Sequence, residues 1–223
     1  MEQALLKEAI SQENIEKIIC RLNNGINSEV YKAKTKNYNE PVVLKLFKKG
    51  SAQRFKREEA FLKHCAKYQV KETPRIIKSN HRGKYMIHSW IEGKTPKCIR
   101  NSENDALAEF VEKINKFDFQ TEIKATDSLE TVEVFIKEME RRKDSLVNIR
   151  KQSHEDRDRF FNVIEDVING IDLELEKLAS KRDLCHWRPE NMNRILSPSD
   201  VGIHNMLKNG NNYYFLDFEY SGI

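Results

Sequence analysis

The stretch Leu196-Ser197-Pro198-Ser199-Asp200-Val201-Gly202-Ile203-His204-Asn205-Met206-Leu207 sets an aspartate five positions before an asparagine in irregular backbone. Asp and Asn are common loop residues, so the pair alone also suits a capped turn. The continuation adds weight. Asn209-Gly210 is a tight-turn dipeptide that closes a hairpin between Met206–Leu207 and Tyr213–Leu216. Leu216-Asp217-Phe218-Glu219 lies at the far end of the second strand. The feet of the hairpin thus carry Asn205 and Asp217 into reach of one metal ion. Magnesium takes hard oxygen ligands and keeps several waters, so one Asn and one Asp with phosphate oxygens suffice. Phosphoryl transfer needs a carboxylate near the acceptor hydroxyl and a metal-binding oxygen close by, and Asp200, Asn205 and Asp217 offer that combination.

Working back along the chain, Lys45 stands inside the apolar run Val42–Phe47. A lysine there needs an anionic partner or a place where its stem covers apolar surface and its head reaches water. The following helix, marked by Phe55, Leu62 and Ala66, brings Glu58 and Glu59, and Glu58 precedes Leu62 by one helical turn. Glu58 is therefore the expected partner and Glu59 the alternative. Such a lysine holds phosphate oxygens while the glutamate orients it. Upstream, Leu22-Asn23-Asn24-Gly25-Ile26-Asn27-Ser28 reads as a strand end and tight turn. There Gly25 permits the reversal, and backbone N–H groups with Ser28 can approach phosphate. One glycine also fits a plain hairpin, and the segment is neither a Walker A loop nor a full G-x-G-x-x-G.

The remaining pattern places these residues. A short amphipathic helix uses Leu5, Leu6, Ala9 and Ile10. Ile15–Leu22 also fits helical spacing through Ile15, Ile18, Ile19 and Leu22, while the Asn23-Asn24-Gly25 turn after it favours a strand. Further strands are expected over Glu29–Thr35, Val42–Phe47, Arg75–Lys78 and Lys84–Ile91, with a loop over Lys36–Pro41 and a turn at Arg82-Gly83. Beyond Thr95 the periodicity is helical. One stripe is Leu107, Phe110, Val111, Ile114 and Phe117; a second is Leu129, Val132, Ile136 and Met139; a third runs from Phe161 to Leu178. These stripes read as packing surfaces. Short strands return after Lys181.

Composition bounds the class. The chain has 223 residues, 39 % hydrophobic and 33 % charged, enough for one large domain or two lobes without disulfide staples. The net charge of +4 comes from interleaved Lys, Arg, Asp and Glu, which is a solvated mixed surface rather than a nucleic-acid face. Cys20, Cys65, Cys98 and Cys185 have neither zinc nor disulfide spacing, and free thiols fit a reducing cytoplasm. The N-terminus is not a secretory signal, and no apolar run of membrane-spanning length exists.

Taken in order, these residues resemble the aminoglycoside phosphotransferase and choline kinase-like family, from about Ile15 to Ile223. Its specific windows are Leu22–Leu62, Tyr85–Gly93 and Leu196–Gly222. The resemblance implies an α+β, two-lobed protein-kinase-like fold. A small antiparallel-sheet N-terminal lobe would span 1–92, with a hinge at about 85–93. A mainly helical C-terminal lobe would span 93–223, with a catalytic loop at 197–205 and a metal-binding segment at 216–219. It further implies ATP with Mg²⁺ as cofactors and transfer of the γ-phosphate to a hydroxyl of a small molecule such as a sugar, an amino-alcohol or an aminoglycoside. Asp200 would be the catalytic base, Asn205 and Asp217 the magnesium ligands, and Lys45 with Glu58 the phosphate-holding pair. Backbone groups near His88, Ser89 and Trp90 would hydrogen-bond adenine.

Two departures stand out. The family usually has a histidine two residues before the catalytic Asp, where this chain has Pro198 flanked by Ser197 and Ser199. The chain also ends six residues after Asp217, which leads to the expectation of a shortened C-terminal lobe with an incomplete acceptor site. Both also suit a catalytically silent nucleotide-binding module that acts through protein contacts.

Overall fold

In a computed structural model of the chain, residues 2–24, 27–80, 84–119, 123–126, 128, 131–152, 158–180 and 194–223 are described. Gly25, the Arg82-Gly83 turn, and the segment 181–193 with Cys185 lie outside them. Chain contacts divide the protein into two compact units, Met1–Ser128 with Arg194–Ile223, and Leu129–Asn193.

The first unit opens with helix α1, Glu2–Gln12, and strands β1, Ile15–Asn24, β2, Ser28–Thr35, and β3, Tyr38–Phe47. Helix α2, Ala52–Lys67, leads to β4, Ile76–Asn80, and β5, Tyr85–Ser89. The five strands form one antiparallel sheet in the order β1-β2-β3-β5-β4. β3 starts earlier than its apolar run suggests. Only Lys36-Asn37 turns, and Tyr38–Pro41 is strand. Pro41 is tolerated there because β5 pairs with β3 only from Val42 to Leu46, so the missing N–H breaks no bond on that side.

Alternation along β3 and β5 splits the sheet into two faces. Val42, Leu44, Leu46, Tyr85 and Ile87 join Ala9 of α1 and Ile15, Tyr31 and Ala33 in one buried core. The opposite face carries Lys45 and Met86 in register, and Val43 beside His88. Phe47, Phe55 of α2 and Met86 cluster on that side.

Helix α3, Asn101–Ile114, and the hairpin β6, Met206–Asn209, with β7, Asn212–Phe215, complete the unit. A second core joins them to α2 through Phe61, Leu62, Cys65, Phe110, Ile114, Leu196, Met206, Phe215 and Phe218. Phe218 stacks on Phe61 at 4.2 Å between ring centroids, and Phe110 stacks on Phe215 at the same distance.

The second unit contains α4, Val132–Gln152, and α5, Asp158–Ser180, packed on each other and pinned by a Lys143–Asp172 ion pair of 2.6 Å. In α5 the expected stripe is the shielded side: Ile164 is buried, and Ile168, Ile171 and Leu175 are half-buried. No helix among the described residues is long and apolar enough to cross a membrane.

Candidate active site

The site grows from Phe218. It is fully buried against Phe61, one turn after Glu58 on α2, so the flanking Asp217 and Glu219 are brought to the same helix that carries Glu58. Across from them β3 delivers Lys45, which is 4 % exposed. Its Nζ lies 2.6 Å from Glu58 Oε2, 2.7 Å from Asp217 Oδ1 and 3.7 Å from Glu219 Oε2. Glu59, the alternative partner, is engaged by Lys63 and the Ser79 hydroxyl.

Three carboxylates around one ammonium decide the electrostatics. Burial by itself would make the Lys45 ammonium more acidic. The charges of Glu58, Asp217 and Glu219 outweigh that and hold it firmly protonated. Burial raises the Glu58 carboxyl to about 7 against the pull of Lys45, with Asp217 and Glu219 adding to the rise. Carboxylate oxygens of Glu58, Asp217 and Glu219 lie within 4.8 Å of one another. Glu219 Oε2 is buried without a hydrogen-bond partner.

The Asp200 loop is stitched to the Asp217 segment by backbone. Leu216 N–H donates to the Asn205 carbonyl at 2.8 Å, and Ser197 and Gly222 exchange N–H···O bonds of 2.8 and 3.0 Å. Gly222 is required there, because a Cβ would stand 2.3 Å from the Ala125 nitrogen. The two serines flanking Pro198 supply further support. Ser199 N–H donates to Ser197 Oγ at 3.1 Å, and Ser199 Oγ–H donates to the Tyr220 carbonyl at 2.9 Å. Ser199 holds a left-handed φ of 61°, the backbone reversal that turns Asp200 outward. Within the loop, the buried Asn205 donates its Nδ2 hydrogen to the Asp200 carbonyl at 2.7 Å. The amide oxygen is then the group left to accept or ligate. Asp200 itself is half-exposed, and among the described residues its carboxylate meets the side chain of His204, with Nε2 at 3.4 Å. His204 is mostly exposed, and its ring sits where a Cβ on Gly202 would collide with it.

Asn27 was not singled out by sequence. It follows the β1–β2 turn and donates to Glu219 Oε1 at 2.7 Å and to Tyr220 Oη at 2.8 Å, while its carbonyl accepts from Lys48 N–H at 2.9 Å. The end of the turn is thereby fastened to the Asp217–Tyr220 segment. Ser28, also expected here, is buried at the start of β2 opposite Phe47. No local pattern in the sequence pairs Asn27 with Glu219, which stand 192 positions apart.

At the expected hinge, Tyr85–Ser89 is strand and the chain leaves it at Trp90. Ser89 exchanges bonds with Arg75: its N–H donates to the Arg75 carbonyl and its hydroxyl accepts from Arg75 N–H, both at 2.9 Å. Trp90 lies under Lys32 Nζ at 3.7 Å from the ring centroid and donates Nε1–H to Glu92 at 2.6 Å.

The model of the phosphotransferase enzyme family (APH) matches residues 18–223. The chain belongs to this family. Solved structures agree on the fold. The gentamicin complex of the aminoglycoside phosphotransferase APH(2'')-IIa is 15 % identical, with 100 % of this chain and 72 % of that one covered and a TM-score of 0.64. ADP-bound APH(2'')-Ib is 17 % identical, with the same coverage and a TM-score of 0.62. Choline kinase LicA from Streptococcus pneumoniae is 16 % identical, covering 100 % and 69 %, with a TM-score of 0.54. No curated protein matches the chain. The fold of this phosphotransferase-family chain is α+β and kinase-like, with the antiparallel sheet first and helices after it.

Proposed function

We propose that this protein transfers the γ-phosphate of ATP to a hydroxyl of a small molecule. One observation carries the reading: the buried Lys45 ammonium is held between Glu58 and Asp217 at 2.6 and 2.7 Å, and Asp217 is stitched by backbone to the loop that presents Asp200. An ammonium has three donors. Glu58 and Asp217 take two, which leaves one for a phosphate oxygen. Glu58 orients the lysine, and Asn27 anchors the turn above the phosphates.

The donor set suits a magnesium ion. Asn205 has an amide oxygen free by virtue of its Nδ2 bond to Asp200, Asp217 offers a carboxylate, and Glu219 adds a buried oxygen without a hydrogen-bond partner. Asn205 and Asp217 would hold the ion, which when bound neutralises charge on the phosphates. Asp200 takes the proton of the acceptor hydroxyl as the oxygen attacks phosphorus. Its exposure is what lets an acceptor reach it. The domain reading follows the same logic, with residues 1–92 gripping the nucleotide and 93–223 carrying Asp200, Asn205 and Asp217.

The acceptor class is a small polyhydroxylated or amino-alcohol compound, in line with neighbours that include a gentamicin complex and a choline kinase. A panel of such hydroxyl compounds, scored for stimulated ADP release with Mg·ATP, tests the reading. Acceptor-dependent release that disappears in Asp200→Asn is the expected result. Nucleotide binding with no turnover on any acceptor would favour the silent binding module, and no nucleotide binding at all would overturn the proposal.

A further inference from the structure

Two adjacent residues hold Asp200 by different oxygens. Asn205 donates its Nδ2 hydrogen to the Asp200 carbonyl at 2.7 Å, and His204 sets Nε2 3.4 Å from Oδ2 of the same residue. A short 3₁₀ turn, Ile203–Asn205, presents both. Other side chains of the loop are turned elsewhere. Ser197 Oγ accepts from Ser199 N–H, Ser199 Oγ–H is spent on the Tyr220 carbonyl, and Pro198 and Val201 have no side-chain donor.

Gly202 makes room for the His204 contact. Its φ of −69° and ψ of 168° are open to any residue, so the backbone itself does not call for glycine. A Cβ there would stand 2.5 Å from His204 Cε1 and 2.6 Å from Nδ1, and the three atoms nearest to it all belong to that ring. What glycine provides is space for the imidazole. An ion pair or hydrogen bond this exposed adds little to stability. Its consequence is for the direction of the carboxylate. Asp200 must be ionised to take a proton, and in that form it has no hydrogen, so Nε2–H is the donor and Oδ2 the acceptor. The terminal torsion of an aspartate is broad. A bond on Oδ2 narrows it and leaves Oδ1 to face the acceptor hydroxyl. Catalytic hydrogen bonds of this length commonly tighten once substrate is in place.

Resting on the reading of Asp200 as the base, we infer that His204 is a positioning residue for phosphoryl transfer. It fixes the Asp200 carboxylate through Oδ2 so that Oδ1 takes the proton of the acceptor hydroxyl, and Gly202 supplies the space in which the ring does so.

Steady-state kinetics of the full chain, with Mg·ATP and the acceptor found by the hydroxyl panel, test this. His204→Ala should lower kcat about tenfold while the KM for ATP and the melting temperature stay as in wild type. A merely structural residue would move the melting temperature as well. His204→Gln, whose amide donates from nearly the same place, should recover kcat to within about threefold of wild type. Gly202→Ala keeps the histidine and pushes its ring off Asp200, so it should match His204→Ala, and combining the two should add no further loss. Wild-type kcat in His204→Ala overturns the role. So does a glutamine variant no better than the alanine one, and so do losses that multiply in the double variant. The two His204 variants decide the matter by themselves if Gly202→Ala does not fold. Wild-type turnover in Asp200→Asn, or no turnover by the wild type on any acceptor, removes the reading of Asp200 as the base and this role with it.

Discussion

The surroundings of Lys45 and the loop around Asp200 are joined by backbone hydrogen bonds, yet they are built in opposite ways. Lys45 is almost fully buried, and three carboxylates from α2 and the Asp217 segment converge on it. Asp200 has a fixed backbone, held through Ser197, Ser199 and Asn205, but a half-exposed side chain whose contact among the described residues is His204. The contrast follows the work each is proposed to do. Phosphates of a nucleotide are the same in every turnover, so their holding groups gain from being fixed in advance. A base must meet an acceptor that comes and goes, so its carboxylate stays open to solvent.

Removing the centre of the buried cluster should have the largest effect on stability. Lys45→Met leaves Glu58, Asp217 and Glu219 without their cation, and breaking a buried pair in this way costs about 3–5 kcal/mol. Urea denaturation reads it directly. A loss below about 1 kcal/mol would show that the cluster is not the rigid element described here.

Acidification probes the same face more gently. His88 is neutral in the fold with a pKa of about 3 against 6.5 when free. Below pH 6.5 the unfolded chain binds the extra proton, so its stabilising contribution is complete above 6.5 and is lost as the pH falls towards 3. By pH 5 this amounts to about 2 kcal/mol. His88→Leu should lack that dependence, so its stability should fall less steeply than wild type between pH 6.5 and 5. Glu58 works in the opposite sense. Its raised pKa of about 7 against 4.5 means the native state holds the proton, a contribution complete below 4.5 and lost as the pH rises through 7.

Asn27→Ala removes two hydrogen bonds that tie the turn to Glu219 and Tyr220. About 1–2 kcal/mol of stability should be lost, and Mg·ATP should protect the variant less well than wild type in thermal melts. Retention of full ligand protection would separate the anchor from nucleotide binding.

Asp200→Asn should be the quietest change in stability, within about 0.5 kcal/mol, because the carboxylate is half-exposed and nearly uncontacted. Its transfer rate should nevertheless fall by about 10²–10⁴ with nucleotide binding little changed. A stability loss as large as that of Lys45→Met would erase the contrast between the two regions.

Much of this was legible in the chain itself. Alternating and helical periodicities gave the order of strands and helices, Asn209-Gly210 gave the hairpin, and Lys45 in an apolar strand announced a buried anion before any partner was known. Tyr38–Pro41 was not legible, because its polar residues and proline match a loop as well as a strand. The strand persists there because β3 outruns β5 and nothing on that side needs the missing N–H. Pro198 stands where the family usually has a histidine, and Ser197, Ser199 and Gly222 hold the loop through bonds that no local pattern reveals.

Local chemistry therefore determined the elements, the identity of the charged residues that require partners, and the family resemblance. Tertiary structure decided which partners they found. Glu58 was chosen over Glu59 because the helix turns the first towards Lys45 and the second towards Lys63 and Ser79. Asn27 met Glu219 across 192 positions because Phe218, locked on Phe61, carries its neighbours to the end of the β1–β2 connection. Such pairings depend on long-range packing, and periodicity and propensity, which act over a few residues, contain no record of it.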